Sequence, residues 1–200
     1  QWTGGAITIG AGNLTFAAGI TALGDNISVS GGAGTVTNMA ALRIAEPQSI
    51  AGNFTQAPAG VLGLDFAGDV SGQYGALTVT KVTTLDGGLA IDLTDGFTLA
   101  KGDNFDILGF ASLTGGFEAL SLDGAACSST VSDMWTCSGG VRLKEDIFAT
   151  SLDLVVTHGD PAGSSPIPEP STWAMLALGF LGLGGLGLSK RKRADQIGPS

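Results

Sequence analysis

The chain is short of the residues on which most chemistry depends. Of its 200 residues one is histidine, His158, and two are cysteine, Cys127 and Cys137. With a single imidazole, a nucleophile–histidine–acid triad is excluded unless His158 serves in it. His158 falls between the last alternating apolar run and a Pro/Gly/Ser stretch, where an isolated imidazole reads as a surface residue. The two cysteines have nine residues between them, which fits no zinc-ligand spacing. No phosphate loop or dinucleotide fingerprint occurs, and Gly31-Gly32-Ala33-Gly34 reads as turn glycine. Basic residues are scarce too. Residues 1–165 hold Arg43, Lys81, Lys101, Arg142 and Lys144 against sixteen Asp and Glu, a balance of −11. Such a surface repels nucleic acid and anionic lipid, and it favours solubility. Apolar runs with helical periodicity are missing before residue 171.

The aspartates are the one group dense enough to test for a metal. Asp86, Asp92, Asp95, Asp103 and Asp106 lie close together in sequence, and calcium takes oxygen ligands. The calcium-binding nonapeptide is not matched, because Gly87-Gly88-Leu89-Ala90-Ile91-Asp92 puts the carboxylate at the wrong offset. These residues read as turn and strand-face aspartates. No catalytic residue, metal ligand or cofactor is assigned, and the chain is expected not to be an enzyme.

Glycine is abundant: 33 of 200 residues, against a usual share of about 7%. Between the glycines lie short runs with apolar residues two apart, the period of a half-buried strand. Examples are Ala6-Ile7-Thr8-Ile9, Leu14-Thr15-Phe16, Ile27-Ser28-Val29, Thr35-Val36-Thr37 and Ala41-Leu42-Arg43-Ile44. Asn53 to Gln56 and Val61 to Phe66 add two more. In the middle, Leu77 and Val79, then Leu85, Leu89, Ile91 and Leu93, then Phe97 and Leu99, then Phe105 and Ile107 keep alternate parity. Asp86-Gly87-Gly88, Asp95-Gly96 and Gly102-Asp103-Asn104 mark turns. Leu120 to Leu122, Val141 to Leu143, Ile147-Phe148 and Ser151 to Val156 close the body, with residues 123–140 read as a loop held by the cysteines. The expected fold of residues 1–157 is all-β. Units repeating every ~20 residues write a β-solenoid of about seven or eight rungs; a β-sandwich also satisfies the pattern.

Three tripeptides match the glycosylation acceptor pattern: Asn13-Leu14-Thr15, Asn26-Ile27-Ser28 and Asn53-Phe54-Thr55. They are read instead as an asparagine that turns the chain followed by a strand. Thr35-Val36-Thr37 and Thr78-Val79-Thr80 resemble the threonine arrays of ice-binding solenoids, in two copies that are not in adjacent rungs.

The C-terminal part has a different grammar. Residues 158–167 are a Pro/Gly/Ser linker. Pro168, Glu169 and Pro170 form a short polar tag, followed by an uncharged apolar run over residues 173–188. Lys190, Arg191, Lys192 and Arg193 follow it, and residues 194–200 end the chain. The run is slightly short of the ~20 residues a membrane core requires, so a helix over residues 171–189 spans if the bilayer thins and the cations snorkel. Trp173 suits the headgroup layer at one end. The cationic cluster fixes the other end in the cytoplasm, so the body lies outside and residues 194–200 form a cytoplasmic tail. Outside the cytoplasm Cys127 and Cys137 are expected to form a local disulfide, with free thiols as the alternative. The chain begins with Gln1 and shows no secretory leader, so it reads as a mature or truncated form of a longer precursor.

Residues 166–193, with Pro168-Glu169-Pro170, Ser171-Thr172-Trp173-Ala174-Met175-Leu176, the glycine-rich run and the basic cluster, resemble a PEP-CTERM sorting signal. The resemblance implies a membrane-embedded exosortase-type enzyme as partner, cleavage near the tag, and transfer of the body to the cell surface or an exopolysaccharide matrix. The seven residues after the basic cluster depart from the usual pattern. Residues 52–117 resemble the end of the passenger region of autotransporter-like surface proteins, which are right-handed parallel β-helices. Tyr74, Leu77, Val79, Leu85, Gly88, Leu89, Ile91, Leu93, Gly96 and Phe97 carry that likeness, continued by Gly102, Asp103, Phe105, Ile107, Leu108, Gly116 and Phe117. No translocator barrel follows. The expectation is an exported surface or matrix protein, with adhesin-like display, anchored in the inner membrane before processing and contacting an exopolysaccharide or cell-surface glycan. An exported carbohydrate-active enzyme and a plain single-pass membrane protein are the alternatives.

Overall fold

Short strands with one apolar face cannot stand alone, and here each buries that face by stacking on the next turn of a coil. The computed structural model describes residues 7–159, apart from residues 10–11, 25, 30–33 and 132. These fall within one compact unit, Gln1–Ala162. Each turn has three strands. The first holds β1 (Ile7–Ile9), β2 (Leu14–Phe16) and β3 (Ile20–Leu23), and the second β4 (Ile27–Val29), β5 (Thr35–Asn38) and β6 (Ala41–Ile44). The third holds β7 (Gln48–Ala51), β8 (Asn53–Gln56) and β9 (Val61–Phe66), and the fourth β10 (Leu77–Val79), β11 (Val82–Leu85) and β12 (Gly88–Leu93). The fifth holds β13 (Asn104–Gly109), β14 (Ser112–Gly115) and β15 (Ala119–Leu122). First, second and third strands of each turn go to three separate sheets, hereafter the first, second and third faces. Pairing between successive turns is parallel, as in β3–β6, β6–β9, β9–β12 and β12–β15. The body is all-β with the parallel architecture of a solenoid, and no α-helix occurs among the described residues.

The core is a set of columns running along the coil. On the third face Leu42, Leu62, Leu89 and Leu120 stack in register, and Ile44, Leu64, Ile91 and Leu122 form a second column. All eight are buried. On the first face Ile27, Ile50 and Val79 do the same. Each buried aliphatic side chain contributes about 1.5–3 kcal/mol over its exposed state.

The described coil has five turns, not seven or eight. The expected repeat holds only for the first turn, and later turns lengthen along the chain. Ile7 pairs with Ile27, Ile27 with Ile50, and Ile50 with Val79, each step longer than the one before. Leu77 pairs with Leu108, a longer step again. The added length sits in two excursions between the third and first faces, residues 67–76 and 94–103. Phe97 and Leu99 lie in the second excursion and not in a strand. Asp95 and Gly96 adopt φ of 53° and 75°, which breaks the extended backbone, and the Phe97 amide donates back to the Thr94 carbonyl. Both excursions deliver aromatic rings to one corner. Tyr74 and Phe97 meet Phe105 edge-on at 5.1 and 6.3 Å, and Phe66 lies 4.4 Å from Phe105.

Residues 123–140 are more ordered than the expected loop. β16 (Ala125–Ala126) turns back antiparallel on β15, and β17 (Ser128–Val131) pairs with β18 (Met134–Thr136) as a hairpin. β19 (Arg142–Ile147) and β20 (Ser151–His158) continue this antiparallel meander, and β20 pairs antiparallel with β13. The coil therefore ends in a reversal of strand direction that covers the open edge of β13.

No helix of the described residues is long and apolar enough to cross a membrane. The helix expected over residues 171–189 lies outside the described residues, as do residues 160–167 and 194–200.

Candidate functional site

The three faces carry different chemistry because outward positions alternate with the core columns. On the third face the outward residues are mostly small: Ala41, Val61, Gly88 and Ala119 in one column, and Gly63 and Ala90 in the next. Arg43 interrupts it. Its Nε donates to Asp65 Oδ1 at 2.7 Å, and a terminal nitrogen lies 3.4 Å from Asp92 Oδ2. The hydrogen bond to Asp65 pushes the guanidinium pKa up. A row of opposite charges running along the turns thus sits at the edge of an otherwise neutral surface.

Beside that row lies an acidic cleft of about 220 Å³ lined by Glu46, Asp65, Gln73, Thr94 and Asp95. The five aspartates tested for calcium do not converge on it. Asp86 Oδ1 accepts from the Gly87 amide, Asp92 faces Arg43, and Asp103 Oδ2 accepts from the Ala100 amide. Asp95 lines the cleft, and Asp106 lies on β13 opposite Asp153. Partial burial, and then Asp153, push the Asp106 carboxyl above the usual range. No group of three His, Cys, Asp or Glu among the described residues could hold a metal ion. His158 ends β20 opposite Arg142, exposed.

The cysteines close the terminal hairpin. Cys127 and Cys137 form a disulfide, with Cα atoms 4.2 Å apart. They flank β17 and β18, so the bridge ties the open end of that hairpin. The Cys127 amide also donates to the Leu120 carbonyl, and the Cys137 amide to the Val141 carbonyl.

The three asparagine tripeptides are parts of the coil. Asn13 Oδ1 accepts the Thr35 amide at 3.0 Å, and Asn53 Oδ1 the Val82 amide at 3.3 Å. Asn26 Oδ1 accepts both the amide and the hydroxyl of Ser49 at 2.8 Å. In each case the asparagine satisfies an amide one turn further on.

The second face holds a feature that sequence spacing hid. Thr15 pairs with Thr37, Thr37 with Thr55, Thr55 with Thr84, and Thr84 with Thr114. Five threonines from five successive turns stand in one outward column. The two threonine tripeptides noted in the sequence are on different faces, since Thr78 and Val79 belong to β10 on the first face. The sequence steps between ladder threonines are all unequal, shortest from Thr37 to Thr55 and longest from Thr84 to Thr114, so no fixed period exposes them. The readable signal is a polar–apolar–threonine tripeptide, as in Asn13-Leu14-Thr15, Thr35-Val36-Thr37, Asn53-Phe54-Thr55 and Ser112-Leu113-Thr114.

The tag Pro168, Glu169 and Pro170, the interface residue Trp173, and the cations Lys190, Arg191, Lys192 and Arg193 lie outside the described residues. They fall within a match, over residues 166–193, to the PEP-CTERM protein-sorting motif. No curated protein and no solved structure matches the chain. The motif marks an exported protein sorted by an exosortase, whose precursor is membrane-associated.

Proposed function

We propose that this chain is a non-enzymatic surface or extracellular-matrix protein. Its right-handed parallel β-solenoid is displayed outside the cell after an exosortase-type enzyme removes the C-terminal segment. The observation that carries this reading is the order of parts: an all-β body, then the sorting motif at residues 166–193. Right-handedness follows the general rule for parallel crossover connections. The scarcity of imidazoles and the scattered carboxylates support a structural or adhesive role over a catalytic one. In this reading residues 171–189 form a transient inner-membrane helix with Trp173 and the Lys190–Arg193 cluster at its two interfaces. The tag Pro168-Glu169-Pro170 is what the enzyme reads. The partners are therefore the exosortase, the inner membrane and, after release, a cell-surface or matrix glycan. Expression with and without an exosortase, following the C-terminal tail, tests this. Loss of the tail and release of the body in the presence of the enzyme are expected. An intact, membrane-bound chain in both hosts overturns it in favour of a permanent single-pass anchor.

A further inference from the structure

The threonine ladder is the most regular chemical feature on the outside of the body. Its five hydroxyls recur once per turn, about 4.8 Å apart as set by parallel strand spacing. Thr15 and Thr114 at its ends are exposed, and Thr37, Thr55 and Thr84 are half-buried. No hydrogen bond of the described residues engages any of the five hydroxyls. The strands that carry them, β2, β5, β8, β11 and β14, contain no charged residue, within a body of strong negative balance. The outward positions two residues earlier are Asn13, Thr35, Asn53, Val82 and Ser112. That neighbouring column is irregular, and the oxygens of Asn13 and Asn53 are already taken by backbone amides.

The geometry points to a binding surface for a neutral, linear, extended polysaccharide that runs along the axis of the coil. A single regular column matches a ligand periodic in one dimension. A two-dimensional lattice such as ice requires a second regular column, which Val82 and the engaged asparagines interrupt. One turn of the coil advances by a length comparable to one sugar unit of an extended β-linked chain. Each threonine therefore meets a fresh sugar hydroxyl, as donor or acceptor, while its methyl group covers the ring edge. The uncharged face needs no ion stripped of water, which fits a neutral chain and rejects an anionic one. Each contact is weak by itself, so affinity comes from their number along one strand. This inference rests on the reading of the body as a matrix protein and names what it holds there.

The test is titration of the detergent-solubilised full chain with cello-oligosaccharides and chito-oligosaccharides, from the disaccharide to the hexasaccharide. Alginate serves as the anionic arm. Affinity is expected to rise with each added sugar and to level off at about five or six units, one per turn, with no response to alginate. Replacing Thr37→Val, Thr55→Val and Thr84→Val together keeps strand-compatible side chains and should weaken hexasaccharide binding roughly tenfold or more. Thr78→Val on the first face should leave it unchanged. Absence of binding to both neutral series overturns the proposal. So does equal loss on Thr78→Val, an unchanged affinity in the triple variant, or retarded ice growth without sugar binding. Failure of the sorting reading shows instead as an intact, membrane-bound tail, so the two failures are distinguishable.

Discussion

The indole Nε1 of Trp135 on β18 donates to Glu145 Oε1 on β19 at 2.7 Å, and both side chains are buried. Burial pushes the Glu145 carboxyl above its ordinary value of 4.5; the indole bond opposes this, and nearby Asp133 adds to it. At pH below that ordinary value both folded and unfolded chains hold the proton, and the buried position costs nothing. As pH rises, the unfolded chain ionises first, so stability falls until the raised folded value is passed and stays lower above it. Glu145→Gln keeps an acceptor for the indole and cannot ionise. The variant is expected to melt at a higher temperature than the parent at pH 7, with the difference vanishing near pH 4. Of the chain's three tryptophans Trp135 is the one in this hairpin, so fluorescence in a Trp2→Phe, Trp173→Phe background follows this region.

A second prediction concerns Thr83, which sits inward on β11 between Phe54 and Leu113 of the neighbouring turns. It is fully buried, and its Oγ1 has no partner among the described residues. A buried hydroxyl without a partner costs about 1–3 kcal/mol. Thr83→Val has nearly the same shape and suits a strand, so it should raise stability by about 1–2 kcal/mol. Urea unfolding should show a higher midpoint with an unchanged slope. A lower midpoint would show that the hydroxyl is satisfied.

The inward positions were legible wherever alternation ran unbroken. Leu62, Leu64 and Phe66, and Leu89 and Ile91, read as one strand face in the sequence and are fully buried in the coil. What alternation does not carry is the length of the connections, because corner loops are set by which side chains they must deliver to the core. Residues 67–76 bring Tyr74 onto Phe66, and nothing in that segment's period announces it. Turn chemistry was readable but not its purpose. Gly87 marks a turn in the sequence; in the fold it has φ of 67°, and a Cβ there would run into the carbonyls of Pro58 and Gly60. Strands with a polar inward residue escaped the period altogether, as β3 did with Thr21 in the column of Leu42. The ladder on the second face escaped for the same reason as the rung count, since unequal turns destroy any repeat. The tag and basic cluster at residues 166–193 were legible because they are read as linear order rather than as packing.

The disulfide should act locally. It closes a loop across the β17–β18 hairpin, beyond the last parallel turn. In the chain-entropy model a loop this short contributes roughly 2–3 kcal/mol. Cys127→Ser with Cys137→Ser, or reduction, is expected to lower the stability read from Trp135 fluorescence in the Trp2→Phe, Trp173→Phe background by that amount. Amide exchange in β6, β9 and β12 should change less than in β17 and β18. Equal loss of protection in both regions would mean that the cap and coil unfold as one unit.

The asparagine bridges between turns give a surface prediction. Asn26 Oδ1 accepts two hydrogen bonds from Ser49, while its side chain is exposed. Asn26→Ala leaves the Ser49 amide to water and should cost about 0.5–1.5 kcal/mol. Asn26→Asp keeps the acceptor and should cost less. If alanine and aspartate variants unfold at the same midpoint as the parent, the bridge contributes nothing to the stacking of these turns.

The last prediction concerns the tag. The rings of Pro168 and Pro170 each lock φ and push the preceding residue away from helical geometry, so this tripeptide suits the extended conformation in which proteases hold their substrates. Glu169 between them carries the tag's one charge. Replacing all three by alanine removes the restriction and the charge while leaving the apolar run and the four cations intact. Membrane insertion should therefore be retained and recognition lost. In a host with an exosortase the parent body is expected in the medium or envelope without residues 190–200, and the alanine variant in the membrane with them. Mass spectrometry of the C-terminal peptide distinguishes the two. Glu169→Gln alone separates the contributions: processing at the parent rate assigns recognition to the prolines, and loss assigns it to the carboxylate. Release of the triple-alanine body at the parent rate would remove Pro168-Glu169-Pro170 from recognition, leaving the apolar run and its cations as the signal.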